Sequence, residues 1–354
     1  MELKSNSSST EELGNLAIML GDKNNNYTES ESSTFPSNEK YSFNPIKSGC
    51  IDASGNAISD KINYSSGVAT IETDVSSYCY LYFDYVLLTD CNGTIGECLM
   101  DNPTLGLNTT MEGGLYRYQG EAGNVNNYVC FGTTSKEECL SDTDKYMYRV
   151  IGIDENNQVK LIKKEALNTA YQWHSSNVDI TWPDSDLYKG LNGSYYLETD
   201  YVPNGWGEKI ATVSWKYGDN TVNNTSAANL YTIENGWTTK SDAKIGLWYL
   251  HDYYHGMSEE NNCSSYSTCK TSWVYLWNNE NDSSVPHEYY EWTMSRYGYD
   301  SNHNIYRAWY VHSNGANTWH SLSATAAVRP TFYLTSNTQY KSGTGTIENP
   351  IILK

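Results

Sequence analysis

The sequence predicts an α+β chain rich in β-structure, with a small N-terminal β module ahead of a larger C-terminal domain. Three observations carry this reading. Short runs of β-branched and aromatic residues recur between polar turn clusters, as at Val68–Thr73 and Tyr78–Phe83. Eight cysteines (Cys50, Cys79, Cys91, Cys98, Cys130, Cys139, Cys263 and Cys269) stand mostly in closely spaced pairs. Charged residues are only 18% of the chain, and Asn, Ser, Thr, Gly and Tyr take their place, the mixture that polar turns between strands require.

At 354 residues the chain has room for two or three domains of roughly 100–200 residues each. Residues 1–40 read as an N-terminal helix and polar linker. The helix is expected over 10–21, with Thr10 as cap, Glu11 and Glu12 in the first turn, and Leu13, Leu16, Ala17 and Leu20 on one face before Gly21. Asp22 to Lys40 reads as flexible. Residues 41–145 read as a disulfide-stapled β module followed by a loop-rich region. Residues 146–354 form the C-terminal domain. It opens with a hairpin, Met147–Ile153 returning through Val159–Ile162 around a turn at Asp154–Asn157. A helix is expected within Asp184–Leu197, while Ile245–Tyr254 fits strand and helix equally.

The cysteine count is even and no pair has the spacing of a zinc site, so all eight are expected to be oxidised. Sequence proximity suggests the pairs Cys50–Cys79, Cys91–Cys98, Cys130–Cys139 and Cys263–Cys269. Disulfides of this kind place the protein in an oxidising, extracellular setting. No apolar run of a signal or membrane helix occurs, and the first residues are polar. Met1 is therefore expected to be an added start, or an upstream leader or anchor to have been removed, with the protein held at the cell surface by a segment outside this chain.

Lys and Arg number 23 against 42 Asp and Glu, a net charge of −19. Such a chain is repelled by nucleic acid and by anionic membranes, and neither is expected as a partner. The rings are unusual: 32 Tyr and 11 Trp against 5 Phe. Tyr serves as strand filler, but it also suits contact surfaces, offering an apolar face and a polar tip.

Several segments together resemble one family. These are Tyr148-Arg149-Val150-Ile151-Gly152-Ile153, Lys160-Leu161-Ile162, Thr181-Trp182, Glu291-Trp292-Thr293-Met294-Ser295-Arg296, Ala327-Val328-Arg329-Pro330-Thr331-Phe332-Tyr333-Leu334 and Ser342-Gly343-Thr344-Gly345. Over roughly 146–354 the chain is similar to an uncharacterised domain of surface proteins from Gram-positive gut bacteria. Some members of that group follow a prepilin-like membrane helix. The Glu-Trp-Thr and Val-Arg-Pro segments resemble, more distantly, the C-type-lectin and formylglycine-generating-enzyme fold. The resemblance implies a C-type-lectin-like domain over 146–354. It also implies a non-enzymatic surface role in adhesion or receptor recognition, with a place as a minor or tip component of a pilus-like filament. Partners would be a protein or glycan on another cell surface, and filament subunits. A phage tail receptor-binding protein and a variable protein diversified by a retroelement are alternatives of the same class.

Enzyme and metal chemistry are less well supported by the residues. His251 and His255 are four apart, but no Glu follows the first His as in a metalloprotease. A formylglycine-type oxidase would need Cys263 and Cys269 as reactive thiols, whereas Cys-Ser-Ser-Tyr-Ser-Thr-Cys suits a closed bridge. No nucleophile elbow or phosphate loop occurs, and no cofactor is expected. Trp277–Asp282 is a loose echo of a lectin loop and suits a solvated turn. Trp182 and Trp292 are expected in the core.

Residues 297–320 are the expected ligand face, rich in Tyr, Ser, Asn and His and carrying Trp309 and Trp319. In lectin-like folds the loops ahead of the final strand form the ligand face, and some relatives vary them. Alternation puts Trp309 and Val311 inward. Tyr310, His312, Asn314, Asn317, Trp319 and His320 are expected outward, joined by Tyr299, Asn302 and His303.

Overall fold

The computed structural model describes residues 16–22, 26–32, 35–36, 41–58, 61–65, 68–72, 77–85, 91–101, 107–120, 125–222, 225–257, 290–312, 315 and 317–354. It is rich in β-structure, with few helices. Two compact units emerge, one from residues 1–91 with 342–350, the other from 92–341 with 351–354. The boundaries expected at 40 and 145 therefore fall inside these units.

The smaller unit contains β1 (Leu16–Gly21), β2 (Tyr27–Glu29), β3 (Tyr41–Ile51), β4 (Lys61–Ser65), β5 (Val68–Glu72) and β6 (Tyr78–Tyr85). Four strands make a sheet in the order β2-β1-β6-β3, and β4 pairs with β5. The expected helix over 10–21 is corrected at Leu16–Gly21, which is a strand parallel to β6; Thr10 and Leu13 lie outside the described residues. Leu16, Ile18 and Leu20 stand beside Cys79, Leu81 and Phe83, so a period of two places all three in one apolar cluster with Leu81 and Phe83. The stretch expected as a flexible linker contributes β2. Cys50 lies opposite Cys79 in the β3–β6 pair and the two are bonded, as expected.

The larger unit runs α1 (Ile95–Met100), β7 (Leu107–Glu112), β8 (Leu115–Tyr118), β9 (Tyr128–Cys130), α2 (Lys136–Ser141), α3 (Thr143–Tyr146), β10 (Met147–Ile153), β11 (Val159–Lys163) and β12 (Tyr171–Gln172). It continues with α4 (Asp186–Leu191), β13 (Val213–Lys216), α5 (Ala227–Asn235), β14 (Lys240–Ala243), β15 (Ile245–Gly246) and α6 (Leu250–His255). After the undescribed 258–289 come β16 (Tyr290–Asp300), β17 (Ile305–His312), β18 (Asn317–Ser321), β19 (Thr325–Ala326), β20 (Thr331–Tyr333), β21 (Tyr340–Ser342) and β22 (Ile351–Leu353).

The main sheet has the order β15-β20-β11-β10-β9-β22-β21, with β8 on β10 and β7 on β8. Every residue of β10 and β11 is buried, so this hairpin is the centre of the unit. Its turn uses Asn157 at φ 58°, and Asp154 Oδ1 accepts the backbone N–H groups of Asn156 and Gln158. Gly152 lets β8 approach closely, since a Cβ there would lie 2.4 Å from the Tyr116 carbonyl oxygen. Phe131 and Phe332 each meet Tyr148 edge-on and pack tilted against each other at 4.8 Å. Trp182 and Trp292 are buried, as expected, and so are Val328, Phe332 and Leu334.

The expected helix within 184–197 is α4, capped by Ser185, whose side chain accepts from the Tyr188 N–H. The ambiguous 245–254 run splits into β15 and α6. Cys130 and Cys139 are bonded to each other, and Cys91 and Cys98 are also in disulfide form. Cys263, Cys269, Asn314 and the 277–282 segment lie outside the described residues. Among those described, no helix is long and apolar enough to cross a membrane.

Candidate ligand-binding cleft

The expected ligand face is built on β16, β17 and β18, and the pairing of these strands divides it. Trp309 stands opposite Trp319 and Val311 opposite Asn317. Directly opposed residues share a face of a sheet, so Trp319 and Asn317 turn inward with Trp309 and Val311. Trp319 packs 5.2 Å from Trp309 and stacks on Tyr297 at 4.9 Å. Asn317 is 3% exposed, and its Oδ1 accepts from the Tyr254 hydroxyl at 2.6 Å.

The opposite face holds Tyr310, His312 and His320, but Tyr310 is 6% exposed, packed 4.6 Å from Tyr290 and 5.8 Å from Trp292. The expectation of six outward side chains on one face is corrected on these grounds. His320 is exposed and His312 half-buried. Tyr299, Asn302 and His303 are exposed at the β16–β17 turn, where His303 Nδ1 lies 2.8 Å from the Asp300 carboxylate and Tyr299 donates to Asn304 at 2.5 Å.

A more developed site lies elsewhere in the same unit. A cleft of about 540 Å³ opens between the β7–β8 turn, the β10–β11 turn, β13, α5 and the start of α6. Its floor is a buried ion cluster. The Asp252 carboxylate takes Arg117 Nη1 at 2.8 Å on one oxygen and Lys160 Nζ at 2.6 Å on the other. Arg117 also donates to the carbonyls of Glu112 and Gly113, at 2.7 and 2.9 Å. The Tyr249 N–H completes Asp252 at 2.8 Å and fixes the start of α6. These three charged side chains are at most 1% exposed.

Burial alone would raise the Asp252 carboxyl, but Lys160 and Arg117 reverse this and hold it well below the usual carboxylate range. Burial pushes the Lys160 amine down, against the pull of Asp252. The Lys160 ammonium also lies 5.0, 5.5 and 5.8 Å from the ring centres of Tyr249, Tyr333 and Trp215.

A second network stands beside the first. Glu234 of α5 accepts from the Ser295 hydroxyl, from the His251 backbone N–H at 3.1 Å and from His251 Nδ1 at 2.5 Å. The His251 ring stacks on Tyr249 at 5.2 Å and meets Tyr231 edge-on at 5.2 Å. His251 and His255 share a face of α6, with rings 6.1 Å apart. Burial, then the nearby Arg117 and His251, push His255 down to about 3. At the rim, Lys216 donates to the Asn235 carbonyl and side-chain oxygen, both at 2.7 Å. Tyr249 Oη donates to the Lys216 carbonyl at 2.8 Å, and burial raises the Tyr249 phenol, keeping it neutral.

Most titratable groups of the floor are thus bound to one another. Ser295 is bonded to the carboxylate and not to the imidazole, so the trio lacks the serine–histidine contact that activates a nucleophile. What the cleft offers is a fixed surface of phenols, amides and paired charges.

Of the cleft residues only His251 stands out in the sequence, through its spacing to His255, and nothing there marks it as a contact for an organic ligand. Two signals were present: Lys160 interrupts the apolar Val159–Ile162 run, and Asp252 sits between ring residues in a segment with few other charges. Their partnership, 92 residues apart, has no local signature. Comparison of the chain with protein-family models, with curated proteins and with solved structures finds no match in any of the three.

Proposed function

We propose that this chain is a non-enzymatic, extracellular surface protein that recognises a ligand in the cleft above the Asp252 cluster, in adhesion or receptor recognition. The observation that carries the reading is the cleft itself. It is open and of ligand size, and it is walled by aromatic and polar groups on a floor whose charges are saturated internally. Such a floor supports recognition by pre-organisation. The six described cysteines, all oxidised, favour an oxidising compartment.

The C-type-lectin-like reading of 146–354 rests on the family resemblance. The Glu-Trp-Thr and Val-Arg-Pro segments meet in space, with Arg329 Nε 2.9 Å from Glu291 Oε1. The place in a pilus-like filament rests on the family resemblance alone.

Beads coated with the oxidised protein are expected to adhere to mucin and to cultured epithelial cells. The double variant Glu155→Ala/Asn235→Ala changes two exposed rim residues and is expected to abolish adhesion while leaving the circular dichroism spectrum unchanged. Undiminished adhesion by a folded rim variant would reject the cleft as the site.

A further inference from the structure

We infer that the cleft takes a short, neutral saccharide. This rests on the cleft being the binding site and narrows what it binds. The first argument is charge. Arg117, Lys160 and Lys216 line the cleft on one side of the balance, and Asp154, Glu155 and Glu234 on the other, with Asp252 beneath them, a net charge of −1. In a chain of net charge −19 this cleft is close to neutral.

The two floor cations are also committed. Asp252 holds Arg117 and Lys160, and Lys216 is turned to Asn235. An anionic ligand would approach against the field of the whole chain and would find only Lys216 at the rim, since drawing Arg117 or Lys160 away would leave a buried carboxylate short of a partner. A cationic ligand reaching the floor would meet the Lys160 ammonium. The floor matches neither sign of charge, so most of the energy of recognition has to come from hydrogen bonds and ring contacts.

The second argument is the lining. Tyr231, Tyr249 and Tyr333 line the cleft half-buried, the Tyr249 hydroxyl being already donated to the Lys216 carbonyl. Ring faces suit the C–H faces of a pyranose, and phenol hydroxyls serve as donor or acceptor to sugar hydroxyls. The exposed Asn156 and Asn235 at the rim add amides that both donate and accept, and Glu155 adds acceptors. A polyhydroxylated ligand carries donors and acceptors on every edge, and this wall answers both. The Tyr249 ring is held by its bond to the Lys216 carbonyl and by the stacked His251, so little side-chain entropy is lost when a sugar docks there.

The test is titration of the oxidised full chain with lactose, cellobiose, N-acetyllactosamine and mannotriose. Sialyllactose, a sulfated disaccharide and an oligolysine peptide are run in parallel. Ligand-observed NMR and calorimetry are read at roughly 50 and 500 mM NaCl, a range over which the screening length shrinks about threefold. At least one neutral saccharide is expected to saturate a single site. Glu155→Ala/Asn235→Ala and, separately, Tyr231→Ala are expected to weaken it by about tenfold or more, the loss of ~1.4 kcal/mol. Its affinity should move by less than about twofold with salt, because no net charge is paired.

The inference is overturned by three results: binding only of a charged probe, neutral binding indifferent to both variants, or no binding of any neutral probe at millimolar concentration. Adhesion that needs the cleft rim but is not competed by neutral saccharide removes this inference and leaves the broader reading. A saccharide bound in the cleft of a protein that does not adhere does the reverse.

Discussion

Replacing Asp252 by Asn removes the only carboxylate that Arg117 and Lys160 share among the described contacts, without changing side-chain volume. Two cations, each 1% exposed, are left facing a neutral amide. Breaking a buried pair costs about 3–5 kcal/mol, because the remaining charge is uncompensated. Here one carboxylate serves two cations, which argues for the top of that range. Two features argue downward: Arg117 keeps its bonds to the Glu112 and Gly113 carbonyls, and burial already pushes Lys160 down, so the amine can shed its proton. The balance is a loss of roughly 3–4 kcal/mol, and a fall in Tm of roughly 6–16 °C at 2–4 °C per kcal/mol. Urea unfolding at pH 7, followed by tryptophan fluorescence on the oxidised protein, measures it. The triple replacement Arg117→Met/Lys160→Met/Asp252→Leu should recover most of the loss, since an apolar cluster of similar volume carries no desolvation penalty. A loss below about 1 kcal/mol for the single variant would refute the account of the floor as a mutually dependent ion cluster.

Two further outcomes follow from the same unit. His255 is held neutral with its value near 3, facing Glu112, Arg117, His251 and Asp252. Its folded value lies below the unfolded one of about 6.5, so the unfolded chain binds the proton more readily. The stability involved is therefore complete above pH 6.5 and is lost as pH falls toward 3. Between pH 7 and 5 the loss is about 2 kcal/mol. His255→Gln should flatten that slope in urea titrations; an unchanged slope would place the acid sensitivity elsewhere. Gly190→Ala in α4 would set a Cβ 1.9 Å from the Tyr195 ring, so a loss of about 1–3 kcal/mol from overpacking is expected. A Tm equal to that of the parent would show that the 193–195 turn yields freely.

The features legible in the sequence are those fixed by neighbours along the chain. The 147–162 hairpin is one, since its apolar strands and Asp154 turn lie within a few residues of each other. The failures trace to partners distant in sequence. Over Leu16 to Leu20, periods of two and of three to four pick out nearly the same residues, and only the β6 strand, some sixty positions on, decides for strand. Tyr310 alternates correctly with Trp309 and Val311, but alternation says nothing about what covers the second face, which Tyr290 and Trp292 do. Trp319 shares the inward face because its register against Trp309 is set by the turn between β17 and β18, which alternation along β17 alone does not show. The cleft was hidden for the same reason, its floor being assembled from residues 117, 160, 234 and 252.

The path of the chain between the two units bears on how such a protein can be cut or recombined. The backbone enters the larger unit after Cys91, leaves it after Lys341 to give residues 342–350 to the smaller one, then returns for β22. A single break at residue 91 would not release either unit whole: a fragment starting at 92 would carry 342–350 without the fold they belong to. The two units are thus joined like cloth stitched through and back, and genetic exchange that keeps both intact has to move them together.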